Sequence, residues 1–371
     1  HGLRMTFPVS QELSFAVEPL PSMTALETLW KAFDETGAHS FFLSWPWIGS
    51  WLRSRPRSAN VVLLKALCGR ETVGLALLTQ KSGTLRGIVP VRQAWLNSTG
   101  DFRHDCIHIE YNGFASRLPW QELWPGLRQW FETEMKSIDE LILPGMSWPL
   151  PRRRDGLLDL NHSEFGYRTP LSQIGEDGIA PLLSRNARHQ LRRAMRICER
   201  AGPLAVTVAR DEVTALEYFG QMKDLHVPSW TRRRKRHAFH NPFFEQFHRE
   251  LIVAAMPRRS VDLLRISAGD RVLGYLYNFR RNGIVYSYQS GFDDAAAGTR
   301  PGYICHALAI AHYAAEGMCY YDFLAGSNRL KQSFGIERYE LCWRRLRQPR
   351  FWFRAEAFLR RALGAHQKQE S

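Results

Sequence analysis

Residues 283–335 read GIVYSYQSGFDDAAAGTRPGYICHALAIAHYAAEGMCYYDFLAGSNRLKQSFG, and this stretch decides the fold. Ile284–Gln289 has the β-branched and aromatic content of a strand. Ser290–Arg300 is a loop rich in Gly, Ala and Asp. Pro301 suits the first turn of a helix, where its missing N–H would have no partner in any case, and Gly302 follows it. The helix runs through Tyr303–Ala315 and stops at Gly317. A second strand, Cys319–Leu324, ends in Ala325-Gly326, and a short helix then carries Lys331 and closes at Gly335. The helix N-terminus faces a glycine-containing loop. Its unbonded N–H groups and positive dipole end make a place for an anion such as pyrophosphate.

Four pieces of this unit resemble a known family: YQSGFD (288–293), RPG (300–302), YDFLAG (321–326) and a lysine shortly before Phe334-Gly335. They resemble the CelD-type, cellulose-biosynthesis-associated acyltransferases of the GNAT superfamily, relatives of the FemAB aminoacyl transferases. The resemblance covers about residues 180–340 and weakens before them. It implies that the loop and helix after the central strand hold the pyrophosphate of an acyl-CoA. Tyr288, Gln289, Ser290, Gly291, Arg300, Pro301, Gly302 and Lys331 are then the cofactor-binding set, with Arg300 the leading pyrophosphate ligand. The chain departs from the family at Leu330, where a tyrosine usually precedes the lysine, so any role of that tyrosine is lost.

Length and composition set bounds. The 371 residues suffice for two ordinary domains, and 44% apolar with 12% aromatic content argues for packed cores. Fifty basic against 36 acidic side chains give a formal charge of +14, which attracts an anionic partner without choosing among CoA, a phosphorylated acceptor, nucleic acid and a membrane surface. The six cysteines show no CxxC spacing, so a reducing compartment is expected. No apolar run reaches the length of a membrane span, and the N-terminus has no signal-peptide pattern. His1–Arg4 reads as an appendage before a natural start at Met5, and a soluble cytoplasmic enzyme is the expectation. There is no GxSxG elbow, Walker A loop or GxGxxG.

The order β, α, α, β, β, β, α, β reads twice. In the first half it runs Ser14–Val17, Met23–Phe33, Trp47–Leu52, Val61–Leu67, Thr72–Leu78, Ala94–Leu96 with Ile107–Tyr111, Trp120–Met135 and Glu140–Leu143. In the second it runs Ala205–Val208, Glu212–Leu225, Phe243–Ala255, Val261–Ile266, Val272–Phe279 and then the opening unit. The fold class expected is α/β (α+β): tandem GNAT-like domains, each a mixed central sheet flanked by helices. Residues 5–150 form a degenerate N-terminal domain lacking the phosphate apparatus, and 151–203 a linker with a basic helix. Residues 204–348 form the donor-binding domain, and 349–371 an amphipathic helix and tail. The first domain either walls the acceptor site or only stabilises the second.

Two basic segments stand out. Leu182–Ala201 is a helix capped by Ser184, with an apolar stripe through Leu191, Ala194, Met195 and Cys198 and arginines elsewhere. Thr231–His237, TRRRKRH, is a loop that overhangs the acceptor pocket in GNAT enzymes. Each is either a solvated surface or a contact to an acidic acceptor. In the tail, Phe351, Ala355, Phe358, Leu359 and Ala362 line one side of a helix that docks on its own domain or lies on a membrane surface.

Acyl transfer to an amine needs a base, donors for the oxyanion and a fixed approach of the two substrates. The base candidates are Asp322, which matches the family's YDF, His226 and Glu110. Asp322 could instead orient Lys331. Asn112, Trp230, Arg232 and Asn278 are the acceptor-binding candidates. His104, Cys106, His108 and Glu110 alternate along a would-be strand, but no companion CxxC or HxxxH supports a metal, and none is assigned. The leading reading is an N-acyltransferase moving an acyl group from acyl-CoA to an amine of a small metabolite or polysaccharide precursor. The alternatives are an aminoacyl-tRNA-dependent transferase and a non-catalytic component of a polysaccharide-synthesis complex.

Overall fold

The computed structural model describes residues 13–35, 37, 39–147, 158–232, 237–294 and 299–358. The first half forms β1 (Leu13–Pro19), α1 (Met23–Asp34), α2 (Trp45–Ser54), β2 (Asn60–Cys68), β3 (Glu71–Leu85), β4 (Val89–Leu96), β5 (Ala115–Ser116), α3 (Trp120–Thr133) and β6 (Glu140–Met146). β7 (Leu158–Pro170) and α4 (Arg185–Cys198) follow. The second half forms β8 (Leu204–Val208), α5 (Glu212–Arg232), α6 (Pro242–Ala255), β9 (Val261–Ala268), β10 (Arg271–Arg281), β11 (Ile284–Phe292), α7 (Pro301–Ala315), β12 (Tyr320–Ala325), α8 (Arg329–Phe334) and β13 (Glu337–Arg347). Local chemistry sets several starts. The side chains of Ser22, Ser184, Asn241 and Asn328 each accept a backbone N–H in the first turn of the helix they precede.

The strands form one mixed sheet in the order β1-β2-β3-β4-β6-β13-β7-β12-β11-β10-β9-β8, with β5 beside β3. The runs β1-β2-β3-β4-β6 and β8-β9-β10-β11-β12 mirror each other. Within each, neighbours are antiparallel until the last pair, β4·β6 or β11·β12, which is parallel. At the centre the chain changes sides. β7 leaves the first half yet pairs with β12, and β13 leaves the second half yet pairs with both β7 and β6.

Neither β7 nor β13 was legible as a strand, and the stretch expected to be a linker carries one of them. Polar residues mask the alternation: Asn161, His162, Ser163 and Glu164 in β7, and arginines in β13. Two of those arginines are buried and partnered. Arg347 donates to Glu140 at 2.7 Å and Glu356 at 2.6 Å, and Arg344 lies over the Trp124 ring. A second difference concerns Ile107–Tyr111, which is not a strand. His108 and Tyr111 take left-handed backbone angles there, so His104, Cys106, His108 and Glu110 do not share a face. No metal-ligand cluster occurs among the described residues.

Period-two alternation divides the core into layers. On β9, Leu263 faces α1, α2, α5 and α6, whereas Leu264 faces α4 and α7. α3 covers the same side of the first half as α4 and α7 cover of the second. The first layer spans both halves. Phe41 stacks on Phe279 with ring centroids 4.4 Å apart, and Trp47 packs edge-on against Phe247 at 5.1 Å and Phe279 at 5.7 Å. Residues 351–358 form a helix whose buried side chains are Phe353 and Glu356. Phe351 and Phe358, expected on its docking side, are exposed, while Leu359 and Ala362 lie outside the described residues. No described helix is long and apolar enough to cross a membrane.

Because Trp47 joins the halves, Trp47→Ala should destabilise the whole chain by about 3–5 kcal/mol. Urea unfolding followed by fluorescence and by circular dichroism would read this as one transition at lower urea. Loss of one half alone would show that the shared layer does not couple them.

Candidate active site

The site begins where a ladder stops. β11 and β12 pair in parallel through three positions only, Ile284 with Tyr320, Val285 with Tyr321 and Tyr286 with Asp322. Beyond them β11 continues to Phe292 and β12 to Ala325 with no pairing between the two. Two features drive the strands apart. β11 carries a bulge, since Asn278 pairs with Ser287 while Tyr277 pairs with Gln289, leaving Tyr288 as the extra residue. On β12, Leu324 takes φ 62° and the pairing with β7 slips between Asp322 and Ala325. The gap opens into a cavity of about 870 Å³, within the size range of ligand sites.

This cavity collects most of the sequence-predicted set. Tyr288, Gln289, Ser290 and Gly291 line it from β11, Arg300, Pro301 and Gly302 from the start of α7, and Lys331 from α8. His226 and Trp230 enter from α5, and Glu110 enters from the first half. The α7 N-terminus therefore faces the gap. Arg300 caps it in a left-handed conformation, with its guanidinium over the Tyr303 ring. Gly291 is required for packing as well as lining: a Cβ there would lie 2.2 Å from the Met222 carbonyl oxygen, so α5 can rest its backbone on β11 only at a glycine.

Electrostatics single out Glu110. Its carboxylate accepts the Ala325 N–H at 2.8 Å, on the splayed end of β12. Burial pushes its pKa up to about 7, against the pull of that N–H and of the Lys331 ammonium. Lys331 is held by the carbonyls of Leu324 and Ala325, and burial lowers its pKa despite the Glu110 and Asp322 charges nearby. His226 Nδ1 lies 2.7 Å from the Ser290 carbonyl, so Nδ1 donates to it. The ring stacks on Trp230 with centroids 5.2 Å apart.

Four expected residues fall elsewhere. Asp322 is buried outside the cavity wall. Its oxygens are occupied by the Tyr111 hydroxyl, the Tyr339 hydroxyl at 2.6 Å and the Leu324 N–H at 2.7 Å, so it ties β12 to β13 and to the first half. It does not contact Lys331 through a hydrogen bond among the described residues. Asn278 is fully buried and donates to the Tyr313 hydroxyl at 3.2 Å, which in turn donates to Asp262. Asn112 lines a separate cavity of about 400 Å³ in the first half. Arg232 ends α5 in solvent, and residues 233–236 of the basic loop lie outside the described residues. Sequence reading missed Ser229, which donates to Asp294 in the cavity wall, and His306, which meets the Tyr321 hydroxyl at 2.9 Å and is pushed down to about 3 by burial. Ser229 lies one residue from the chosen Trp230, but nothing in the sequence shows that α5 runs on past Pro228 to bring it inside.

Comparison with known proteins agrees with this geometry. Residues 185–332 match the profile of the acetyltransferase (GNAT) domain family. No curated protein matches the chain. Among solved structures, FemX is similar at TM-score 0.56 and 11% identity over 88% of this chain and 96% of that one. A conserved protein of unknown function from Bacteroides thetaiotaomicron is similar at TM-score 0.50 and 10% identity, covering 90% of this chain and 100% of that one. The C-terminal domain of a candidate lysylphosphatidylglycerol synthetase from Agrobacterium fabrum is similar at TM-score 0.50 and 10% identity, covering 88% and 93%. At these identities the likeness is one of fold.

A carboxylate whose folded pKa lies above its unfolded value favours the native state only while protonated. The wild type should therefore lose stability as pH rises from about 4.5 to about 7, and the loss should be complete above that window. Glu110→Gln keeps an acceptor for the Ala325 N–H and carries no charge. Its stability advantage over wild type should open across the same window in urea titrations at pH 4–8. A gap independent of pH would show that Glu110 is not held protonated by its surroundings.

Proposed function

We propose that the chain is an N-acyltransferase that moves an acyl group from acyl-CoA to an amine of a small metabolite or polysaccharide precursor. The observation that carries this reading is the meeting, in one cavity, of the β11–β12 gap, the α7 N-terminus and the Glu110 carboxylate. The family profile over residues 185–332 supports the transferase class. The CelD-type resemblance of residues 288–293 and 321–326 supports a carbohydrate-linked acceptor.

The diphosphate of the donor sits at Arg300–Gly302, where backbone N–H groups and the helix dipole favour negative charge. The pantetheine arm follows the unpaired edge of β11, and its thioester carbonyl accepts from a backbone N–H of that edge. Glu110 removes a proton as the amine nitrogen bonds to the carbonyl carbon. The carbon–sulfur bond then breaks, the amide is released and the thiolate of CoA takes up a proton. The acceptor approaches from the side of His226 and Trp230. The first half supplies the base.

A second reading changes the carrier. α4 exposes Arg185, Arg192, Arg193 and Arg196, and the turn after it Arg200, none of which meets a carboxylate among the described residues. Like charges four residues apart cost about 0.2–0.5 kcal/mol per pair, a cost that a polyanion would offset. That face favours an aminoacyl-tRNA donor.

Calorimetry with CoA separates the readings. CoA should bind wild type, and Arg300→Ala or Gly302→Asp should weaken it about tenfold, near 1.4 kcal/mol. Glu110→Gln should keep that affinity while lowering kcat/KM about 10²–10⁴-fold and removing an acid limb near pH 7. Binding of tRNA with no binding of CoA would favour the second reading.

A further inference from the structure

The two parallel pairs, β4·β6 and β11·β12, are built alike and end differently. Each ladder has three paired positions, Gln93 with Glu140, Ala94 with Leu141 and Trp95 with Ile142 in the first half. Beyond the third pair, the second half opens its cavity. In the first half Asn112 bridges the gap, beside the cavity of about 400 Å³ that it lines. Asn112 sits between the diverging ends: its N–H donates to the Gly145 carbonyl at 3.0 Å, and it bridges in parallel to Met146. Its side-chain amide donates to the Leu96 carbonyl at 3.0 Å. Asn97, at φ 48°, closes the seal by donating to the Asn112 side-chain oxygen at 2.7 Å and the Gly113 carbonyl at 2.8 Å. Its own side-chain oxygen accepts the Leu77 N–H at 2.8 Å.

The residues just before this seal cross to the other half. Tyr111 donates to Asp322, Glu110 accepts from Ala325, and the Ile107 carbonyl accepts from the Tyr288 hydroxyl. Gly145 lets them pass. It has φ 66°, and a Cβ there would lie 2.2 Å from the Ile109 carbonyl oxygen and 3.2 Å from the Glu110 Cα.

We infer that Asn97, Asn112 and Gly145 are positioning residues for Glu110: the bridged gap of the first half is the mount that holds this carboxylate in the second half's cavity. The inference rests on the proposed role of Glu110 as base and adds two consequences. One chain binds one donor, and a change at the mount alters chemistry some distance away without touching the donor site.

The test uses the full chain. Gly145→Ala and, in case that variant does not fold, Asn112→Ser are compared with wild type in three measurements. CoA calorimetry should give one site per chain and unchanged affinity in all three proteins. The Glu110 carboxyl, read by infrared titration against Glu110→Gln, should fall from about 7 toward the ordinary carboxylate range in the mount variants as solvent reaches it. The acid limb of kcat/KM should move with it, and kcat should drop at least tenfold. Two CoA sites per chain, or a Glu110 titration unmoved in both variants, would overturn the inference. If the titration moves but wild-type activity never follows Glu110, the mount stands and the assignment of the base fails.

Discussion

The structure depends on where a parallel ladder is allowed to stop. Three residue pairs hold β11 to β12, and the bulge at Tyr288 together with the left-handed Leu324 then forces the strands apart. Unpaired backbone inside a protein is costly unless something else takes its hydrogen bonds. Two answers to that cost appear in one chain. The first half uses its own Asn97 and Asn112 to bridge the gap, and the second leaves the gap lined by polar groups and open to a ligand.

The halves are not independent bodies leaning on each other. The sheet runs through both, β7 and β13 have changed places at its centre, and Phe41, Trp47 and Phe279 pack in a layer common to the two. Asp322 completes the join by receiving hydroxyls from Tyr111 and Tyr339, one from each side. This rigidity lets a residue of one half act as a fixed wall in the other. Burial raises the Glu110 pKa and lowers that of Lys331, while the charge of each pulls the other back.

The second half was readable because its local signals agree. Pro301-Gly302 after a loop, the strand composition of 284–289 and the closing Gly335 each act over a few residues, and the structure places those elements where they were expected. The cavity wall at Tyr288–Gly291, Arg300–Gly302 and Lys331 came with them. What failed depends on distant partners. β7 carries a polar run, and β13 looks polar because Arg347 is satisfied by Glu140 and Glu356, which sequence order does not reveal. Asp322 and Asn278 have the right chemistry for a site, but tertiary hydrogen bonds consume it. Glu110 lay in a stretch misread as a strand, and only the left-handed turns at His108 and Tyr111 explain how it reaches the site.

In the proposed reading the gap between β11 and β12 receives the donor, with its anionic end at α7. Amide hydrogen exchange of the full chain with and without saturating CoA addresses this directly. Exchange should slow at residues 287–291 and 302–304 and stay unchanged around Leu96, Asn97 and Gly145. Protection confined to the first half's sealed gap, or absent from the start of α7, would contradict it.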